Sequence, residues 1–270
     1  MLLTVDEFNK IANFVTNKYG IKLPIGKKVM VESRLSERVE KLKFEGFTPY
    51  VEYIFSRKGK FELSELIEHI STNETWFFRE PEHFKYITTY LRKKDITKKI
   101  RVWSSACSSG EEAYSIAMTL EELKETEVPG LDYKIWCTDI SNEILQKASM
   151  GIYSKGHLEN LKKRHIDKYL DLKNSDKPRI TYDLRSKLIF KQFNLIDEKE
   201  YQSIVHKFDI IFCRNVLIYF NRDHQEKVIT HLASKLKIGG LFMIGHTETS
   251  IFKKIESLKM IRPALYERVK

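Results

Sequence analysis

Cysteine is scarce: three residues, Cys107, Cys137 and Cys213, with no CxxC spacing among them. An odd, dispersed set excludes a disulfide framework and a zinc finger, and predicts buried thiols in a reducing cytoplasm. No run approaches 18 consecutive apolar residues, so a membrane-spanning helix is excluded and no membrane insertion is expected. The opening MLLTVDEFNKIA carries acids where a secretory leader is basic and has no long apolar stretch, so no signal peptide is expected. Internal repeats and low-complexity tracts are also missing.

What remains is the composition of a folded protein. The 270 residues suffice for one large domain or two modest ones. Apolar residues make up 42%, charged residues 31% and aromatics 12%, enough for a substantial core and too much apolar surface for a disordered chain. Lys and Arg outnumber Asp and Glu by 47 to 37, a formal charge of +10. The surplus is uneven: residues 85–101 hold seven bases against one acid, and 151–191 hold eleven against five. Such charge suits an acidic partner. The basic–aromatic pattern of RNA readers, zinc-finger spacing and an Arg-rich tail are all lacking, so no nucleic acid is expected.

Residues 1–72 read as a small helical domain. Phe8, Ile11, Phe14 and Val15 recur at helical spacing before a break at Tyr19-Gly20. A second helix is expected over Lys27–Lys43, where Val31, Leu35, Val39 and Leu42 form an apolar stripe beside a basic strip of Lys27, Arg34, Arg38 and Lys41. Further helices are expected at Thr48–Arg57 and Phe61–Ile70.

From residue 73 to 270 the pattern becomes α/β. Short β-rich runs at Ile100–Trp103, Lys134–Cys137, Lys187–Phe193, Phe208–Cys213 and Gly239–Gly245 alternate with helical stretches starting at Glu111, Ser141 and His224, and Arg262–Val269 is expected to close the sheet. Alternating strands and helices predict a doubly wound, Rossmann-like sheet. Ligands of such sheets bind beyond the carboxyl ends of the strands. Three features fall there: the small-residue loop Ser105-Ala-Cys-Ser-Ser-Gly110 with Glu111 and Glu112, Asp139 after the second strand, and Arg214-Asn215 after the central one. With a single glycine the loop is no GxGxxG pyrophosphate cradle. An acid at Asp139 either accepts both hydroxyls of a ribose or favours the N-terminus of the helix that follows. Together the three features point to an adenosyl ligand without a diphosphate.

Four stretches carry a family resemblance. Asn73-Glu-Thr-Trp-Phe-Phe-Arg79 resembles the NxTxFFR signature of the CheR family of chemotaxis receptor methyltransferases. Trp103 to Met118 is similar to that family's cofactor loop and helix, Phe208 to Phe220 to its central-strand motif, and Gly239 to Glu248 to its late-strand motif. The resemblance implies a class I S-adenosylmethionine methyltransferase domain preceded by an all-α domain. The implied enzyme is cytoplasmic; nothing in the sequence demands a dimer, so a monomer is expected. It methylates glutamate side chains on the coiled coils of methyl-accepting chemotaxis receptors, leaving S-adenosylhomocysteine. On this resemblance Asn73, Thr75, Arg79, Glu112, Asp139, Asn194, Leu195, Arg214 and Asn215 hold the cofactor, and which of Glu111 and Glu112 makes the contact stays open. Arg79 and Tyr219 position the acceptor, while Lys27, Arg34, Arg38 and Lys41 dock the acidic receptor. No metal is implied. Residues 151–190 match an inserted β-subdomain, with Arg179–Arg185 as one of its strands. Some members use that subdomain to grip a receptor pentapeptide, but 157–190 contains no glycine for the tight turn this uses.

The residues agree with such chemistry. A glutamate carboxylate has a pKa of about 4.3 and is already nucleophilic at neutral pH. Its methylation needs alignment and exclusion of water, with no general base. His246 is therefore read as a packed histidine. Two other readings stand beside this one: a sensor or scaffold that binds the cofactor without turnover, and a nucleic-acid methyltransferase. The latter conflicts with Arg214-Asn-Val-Leu, where amino-methylating enzymes carry Asn/Asp-Pro-Pro-aromatic.

Overall fold

Thr4 opens the first helix by accepting the Glu7 amide (3.2 Å), while the Glu7 carboxylate accepts the Thr4 amide (2.8 Å). This reciprocal pair satisfies two donors that a helix start leaves unpaired. The helix, α1 (Val5–Tyr19), ends at Gly20, whose φ of 76° is left-handed. The structure, a computed structural model, describes residues 2–94, 99–173, 176–250 and 255–270. It divides into two compact units, Met1–Thr72 with Tyr219–His224, and Asn73–Ile218 with Gln225–Lys270.

The first unit contains α1, α2 (Lys28–Lys41), α3 (Phe47–Ile54) and α4 (Lys60–Ile70). Val31, Leu35 and Val39 of α2 are fully buried with Phe8, Ile11, Val15, Tyr50, Ile54 and Leu66. Within this core sits an acid. Glu62 on α4 is clasped by Arg38 on α2 through Nε (2.8 Å) and Nη2 (2.6 Å), and Tyr50 donates to it as well (3.0 Å). Burial works against the charged form, but the Arg38 guanidinium and Tyr50 hydroxyl outweigh it and hold the Glu62 carboxyl below its ordinary range. The segment at 219–224 is stitched to the helices by the Lys22 amide, which donates to the Tyr219 carbonyl (2.7 Å), and by an antiparallel bridge between Ile21 and Phe220.

The second unit begins with α5 (Glu82–Arg92) and continues through β1 (Ile100–Ser104), α6 (Glu111–Thr126), β2 (Tyr133–Asp139) and α7 (Asn142–Met150). Then follow α8 (Lys163–Tyr169), β3 (Leu170–Asp171), β4 (Arg179–Ile180), α9 (Tyr182–Arg185), β5 (Leu188–Gln192), α10 (Glu198–Gln202) and β6 (Phe208–Cys213). The last elements are α11 (Arg222–Lys235), whose first turn clusters with the helical unit, β7 (Leu236–Ile244), β8 (Leu258–Arg262) and β9 (Leu265–Arg268). Seven strands form one sheet in the order β5-β2-β1-β6-β7-β9-β8. The first five run parallel, β9 runs antiparallel to β7, and the edge strand β8 is antiparallel to β9, so the expected α/β sheet is a mixed one. The chain moves outward from β1 to β2 and β5, then crosses to β6 on β1's other side. This reversal opens a crevice beyond the carboxyl ends of β1 and β6. Trp103 anchors the sheet's middle, packed against Phe193 and Phe208 at ring distances of 5.2 and 5.0 Å.

Two expectations need correction. Arg179–Arg185 is not a strand: only Arg179–Ile180 pairs, with Leu170–Asp171, and Tyr182–Arg185 turns as a short helix. Arg262–Val269, expected to close the sheet, does contain a strand, β9, but β8 pairs beyond it and forms the edge. Among the described residues no helix is long and apolar enough to cross a membrane.

The Arg38–Glu62 clasp generates a stability prediction. Arg38→Ala strands a buried carboxylate and is expected to lower the full chain's unfolding free energy by about 2–4 kcal/mol at pH 7, read by urea titration. Because the clasp depresses Glu62's pKa, its stabilisation is present above the ordinary value of 4.5 and is lost as pH falls through the folded value. The variant's deficit is therefore expected to shrink as pH is lowered below 4.5; a deficit constant with pH would contradict the assignment.

Candidate functional site

The carboxyl ends of β1, β2 and β6 are level, since Ser104 pairs with Cys137 on one side and Phe212 on the other. The loop after β1 is held from both neighbours. The Ser105 amide and hydroxyl both donate to the Phe212 carbonyl (2.9 and 2.8 Å), and the Cys107 amide donates to Thr138 (2.9 Å). Ser108 has a φ of 49°, and its amide donates to Asp139 Oδ2 (2.9 Å). Asp139 also accepts the Ser141 amide (3.1 Å), so one carboxylate sets both the loop and the start of α7. Gly110 has a φ of 98°, where a Cβ would press on Tyr153, Ala148 and Tyr114 at 3.0–3.2 Å.

Arg214 follows β6 and is the charged centre of this end of the sheet. Its side chain is 1% exposed. Nη1 donates to Glu112 Oε2 on α6 (3.0 Å), and Nη2 donates to the Arg79 carbonyl (2.5 Å) and pairs with Glu80 (3.1 Å). Ser104 donates to the other Glu112 oxygen (2.6 Å). Burial keeps the Glu112 carboxyl above its ordinary range in spite of Arg214 and Ser104. For Glu80 burial is outweighed by Arg214 and by the His246 amide, and its carboxyl lies below that range.

The sequence-predicted residues therefore fall into groups. Asn73 accepts the Ser108 hydroxyl through its carbonyl (2.9 Å), placing the Asn73–Arg79 stretch against the β1 loop. Arg79 is half-buried, stacks over Trp76 at 4.2 Å and donates to the Glu74 carbonyl (3.1 Å); Thr75, also half-buried, lies between them in the chain. Asn194 follows β5, where its side chain accepts the Ile196 amide (3.2 Å), and Leu195 beside it is buried. Asn215 has a φ of 57°. Of the two adjacent acids, Glu112 has both oxygens engaged, whereas Glu111 accepts Ser109 (2.6 Å) and its Oε1 is buried with no partner among the described residues.

In the helical unit the basic strip is divided. Lys27 and Lys41 are exposed. Arg34 caps α4, with Nη1 donating to the Ile70 and Ser71 carbonyls (2.5 and 3.0 Å), and Arg38 holds Glu62. Tyr219 is half-buried in the segment that clusters with the helices.

Three participants went unnoticed in the sequence: Glu80, Glu248 and His83. Glu80 directly follows the NxTxFFR-like stretch, and Glu248 ends the late-strand motif. Glu80, His83 and His246 present ligand atoms within 4.8 Å of one another. A tetrahedral metal with bonds near 2.0–2.2 Å brings its ligands to roughly 3.3–3.6 Å of each other. Moreover Arg214 already sits on Glu80 Oε2, a fixed positive charge where a cation would go. His83 is buried without a hydrogen-bond partner among the described residues, and burial and Arg214 push its pKa down to about 3.

Family models match both parts of the chain: "CheR methyltransferase, all-alpha domain" over residues 6–71 and "CheR methyltransferase, SAM binding domain" over residues 73–264. The chain is 39% identical to a chemotaxis protein methyltransferase of Borreliella burgdorferi, covering 98% of this chain and 95% of that one. It is 35% identical to a chemotaxis protein methyltransferase of Escherichia coli, covering 92% and 86% of the two chains. Chemotaxis protein methyltransferase 2 of Vibrio cholerae is 32% identical, with 92% and 87% covered.

The Arg214 network makes a prediction independent of any ligand. Arg214→Met leaves the buried Glu112 and the half-buried Glu80 without their countercharge and is expected to cost about 3–5 kcal/mol in chemical denaturation. Arg214→Lys is expected to recover only part, because one ammonium cannot match a planar fork spread over three acceptors. Full recovery by Lys would show that charge alone suffices.

Proposed function

The chain belongs to the CheR methyltransferase family, and from that premise we propose that it transfers a methyl group from S-adenosylmethionine to glutamate side chains of methyl-accepting chemotaxis receptors. The products are glutamyl methyl esters and S-adenosylhomocysteine. The observation that carries this reading is the meeting of three strand-end motifs, the β1 loop, Asp139 and Arg214-Asn215, with the Asn73–Arg79 stretch joined to them through Ser108 and Arg214.

The residues fit an adenosyl ligand. The β1 loop consists of small side chains, Asp139 is oriented by two amides, and Glu111 carries a buried oxygen that no described group engages. We assign Asn73, Thr75, Arg79, Glu112, Asp139, Asn194, Leu195, Arg214 and Asn215 to holding it, with Glu111 as the neighbouring acid whose oxygen is unengaged. Asp139 binds the ribose in this assignment. Arg214 acts through Glu112, Glu80 and the Arg79 carbonyl. When bound, S-adenosylmethionine supplies an electrophilic methyl on a sulfonium sulfur.

The protein's own work is orientation. An acceptor glutamate arrives ionised and needs no base. Arg79, held by Trp76 and the Glu74 carbonyl, is assigned to positioning the acceptor carboxylate, and Tyr219 shares this role from its place in the central-strand motif. A pairing that is too tight would blunt the nucleophile, so a half-buried guanidinium suits the task. No metal takes part in this scheme, since the attack needs no Lewis acid and Arg214 holds the position a cation would want.

The partner is proposed to be the acidic cytoplasmic coiled coil of the receptor, met in the cytoplasm by a monomer. Lys27 and Lys41 are the free ends of the docking strip, and Arg34 and Arg38 shape the helix between them. The boundary between the helical and methyltransferase domains is placed at residues 72 and 73, with an inserted subdomain at about 151–190.

Incubation with methyl-labelled S-adenosylmethionine and receptor-containing membranes is expected to give label that mild alkali releases as methanol. Arg79→Ala is expected to lower kcat/KM for this transfer by about 10²-fold while the protein stays folded. Alkali-stable label would contradict the glutamyl ester, and cofactor binding without transfer to any receptor would favour a sensor.

A further inference from the structure

Glu248 is completely buried beyond the end of β7, yet no lysine or arginine pairs with it among the described residues. Its partners are backbone amides. Oε2 accepts the amides of Gly245 (2.7 Å) and Asn215 (2.9 Å), and Oε1 accepts those of Leu217 (2.7 Å) and Ile218 (3.4 Å). One carboxylate thus joins the turn after β7 to the turn after β6, 33 residues apart in sequence for the Asn215 bond.

The turn after β6 needs such a clasp. Asn215 has a φ of 57°, in the left-handed region that costs a non-glycine residue energy and persists only where the surroundings enforce it. Three donors of this turn, the amides of 215, 217 and 218, point at the same carboxylate. The turn after β7 is shaped to permit it: a Cβ on Gly245 would come within 2.6 Å of Asn215 Nδ2 and 2.9 Å of Glu248 Oε2. Glycine at 245 is required by close approach, since its φ of −69° is open to any residue.

We infer that Glu248 is a positioning residue for the methyl-transfer reaction, which locks the Asn215 backbone in its left-handed conformation and thereby presents Asn215 to the cofactor. The inference rests on the cofactor reading given above. Glu248 touches neither cofactor nor acceptor in this assignment. It acts through the amides of the turn.

The test uses the full chain. S-adenosylhomocysteine is titrated into wild type and Glu248→Gln by calorimetry, beside thermal unfolding and the ¹H–¹⁵N resonances of Asn215, Leu217 and Gly245. The Gln side chain turns one acceptor oxygen into a donor facing amides, so two of the charge-assisted bonds are lost. Affinity is expected to fall by about tenfold or more, with cooperative unfolding retained and the three amide resonances displaced together. A merely structural role would lower the unfolding midpoint and leave the affinity of the folded protein unchanged. Should Gln fail to fold, Glu248→Asp keeps the charge and withdraws it by one methylene; a loss of about threefold to tenfold is expected. Wild-type affinity in the folded Gln variant, or in Asp where Gln does not fold, would overturn the assignment alone. Failure of the wild type itself to bind would overturn the cofactor reading and the assignment with it.

Discussion

One guanidinium ties together the segments at the carboxyl end of the parallel strands. Arg214 leaves the central strand, reaches α6 through Glu112, and reaches the segment ahead of α5 through Glu80 and the Arg79 carbonyl. These groups lie 102 and 135 residues away in sequence. Taking this charge out of water is costly, and only the fork geometry of arginine satisfies several acceptors at once. Two carboxylates compete for this one cation. The structure resolves the competition by environment: Glu112 lies deeper, where burial dominates, whereas Glu80 has Arg214 and the His246 amide in its favour.

Around this cation, acids act as clasps for backbone. Asp139 holds Ser108 and Ser141, and Glu248 holds both the β6 and β7 turns. Their use coincides with unusual backbone. Phe78, Glu80, Ser108 and Asn215 all have positive φ without being glycine. Ser108 and Asn215 follow the parallel strands β1 and β6, and such backbone persists only where the surroundings enforce it. The sheet that bears the strain is apolar and rigid, with Val102, Trp103, Ile210, Ile211, Phe212 and Leu241 fully buried.

Much of this was legible beforehand. The run Phe208–Cys213 matches β6 residue for residue because a strand covered on both faces is written as continuous apolar sequence. The stripe of Val31, Leu35 and Val39 foretold the buried face of α2 in the same way. Legibility failed where partners are remote. Periodicity placed Arg34 and Arg38 on one strip, but it reports an angle around a helix and says nothing of what sits opposite. Their acceptors, Glu62 and the Ile70 and Ser71 carbonyls, lie 24 to 37 residues on. Glu80 and Glu248 stood at the edges of motifs and drew no notice, since a carboxylate's value here comes from amides and cations brought by other strands. Arg179–Arg185 alternates well enough for a strand, yet only two residues find a partner before the chain turns at Thr181.

Arg214 divides its charge unequally between the buried Glu112 and the half-buried Glu80. Carbon-13 NMR titration of the Glu80 and Glu112 side-chain carboxyls tests it directly. Glu80 is predicted to titrate below the ordinary glutamate value of 4.5 and Glu112 above it, with both moving upward in Arg214→Met, since each loses a cation that favours its charged form. Both groups titrating together at 4.5 in the wild type would contradict the account.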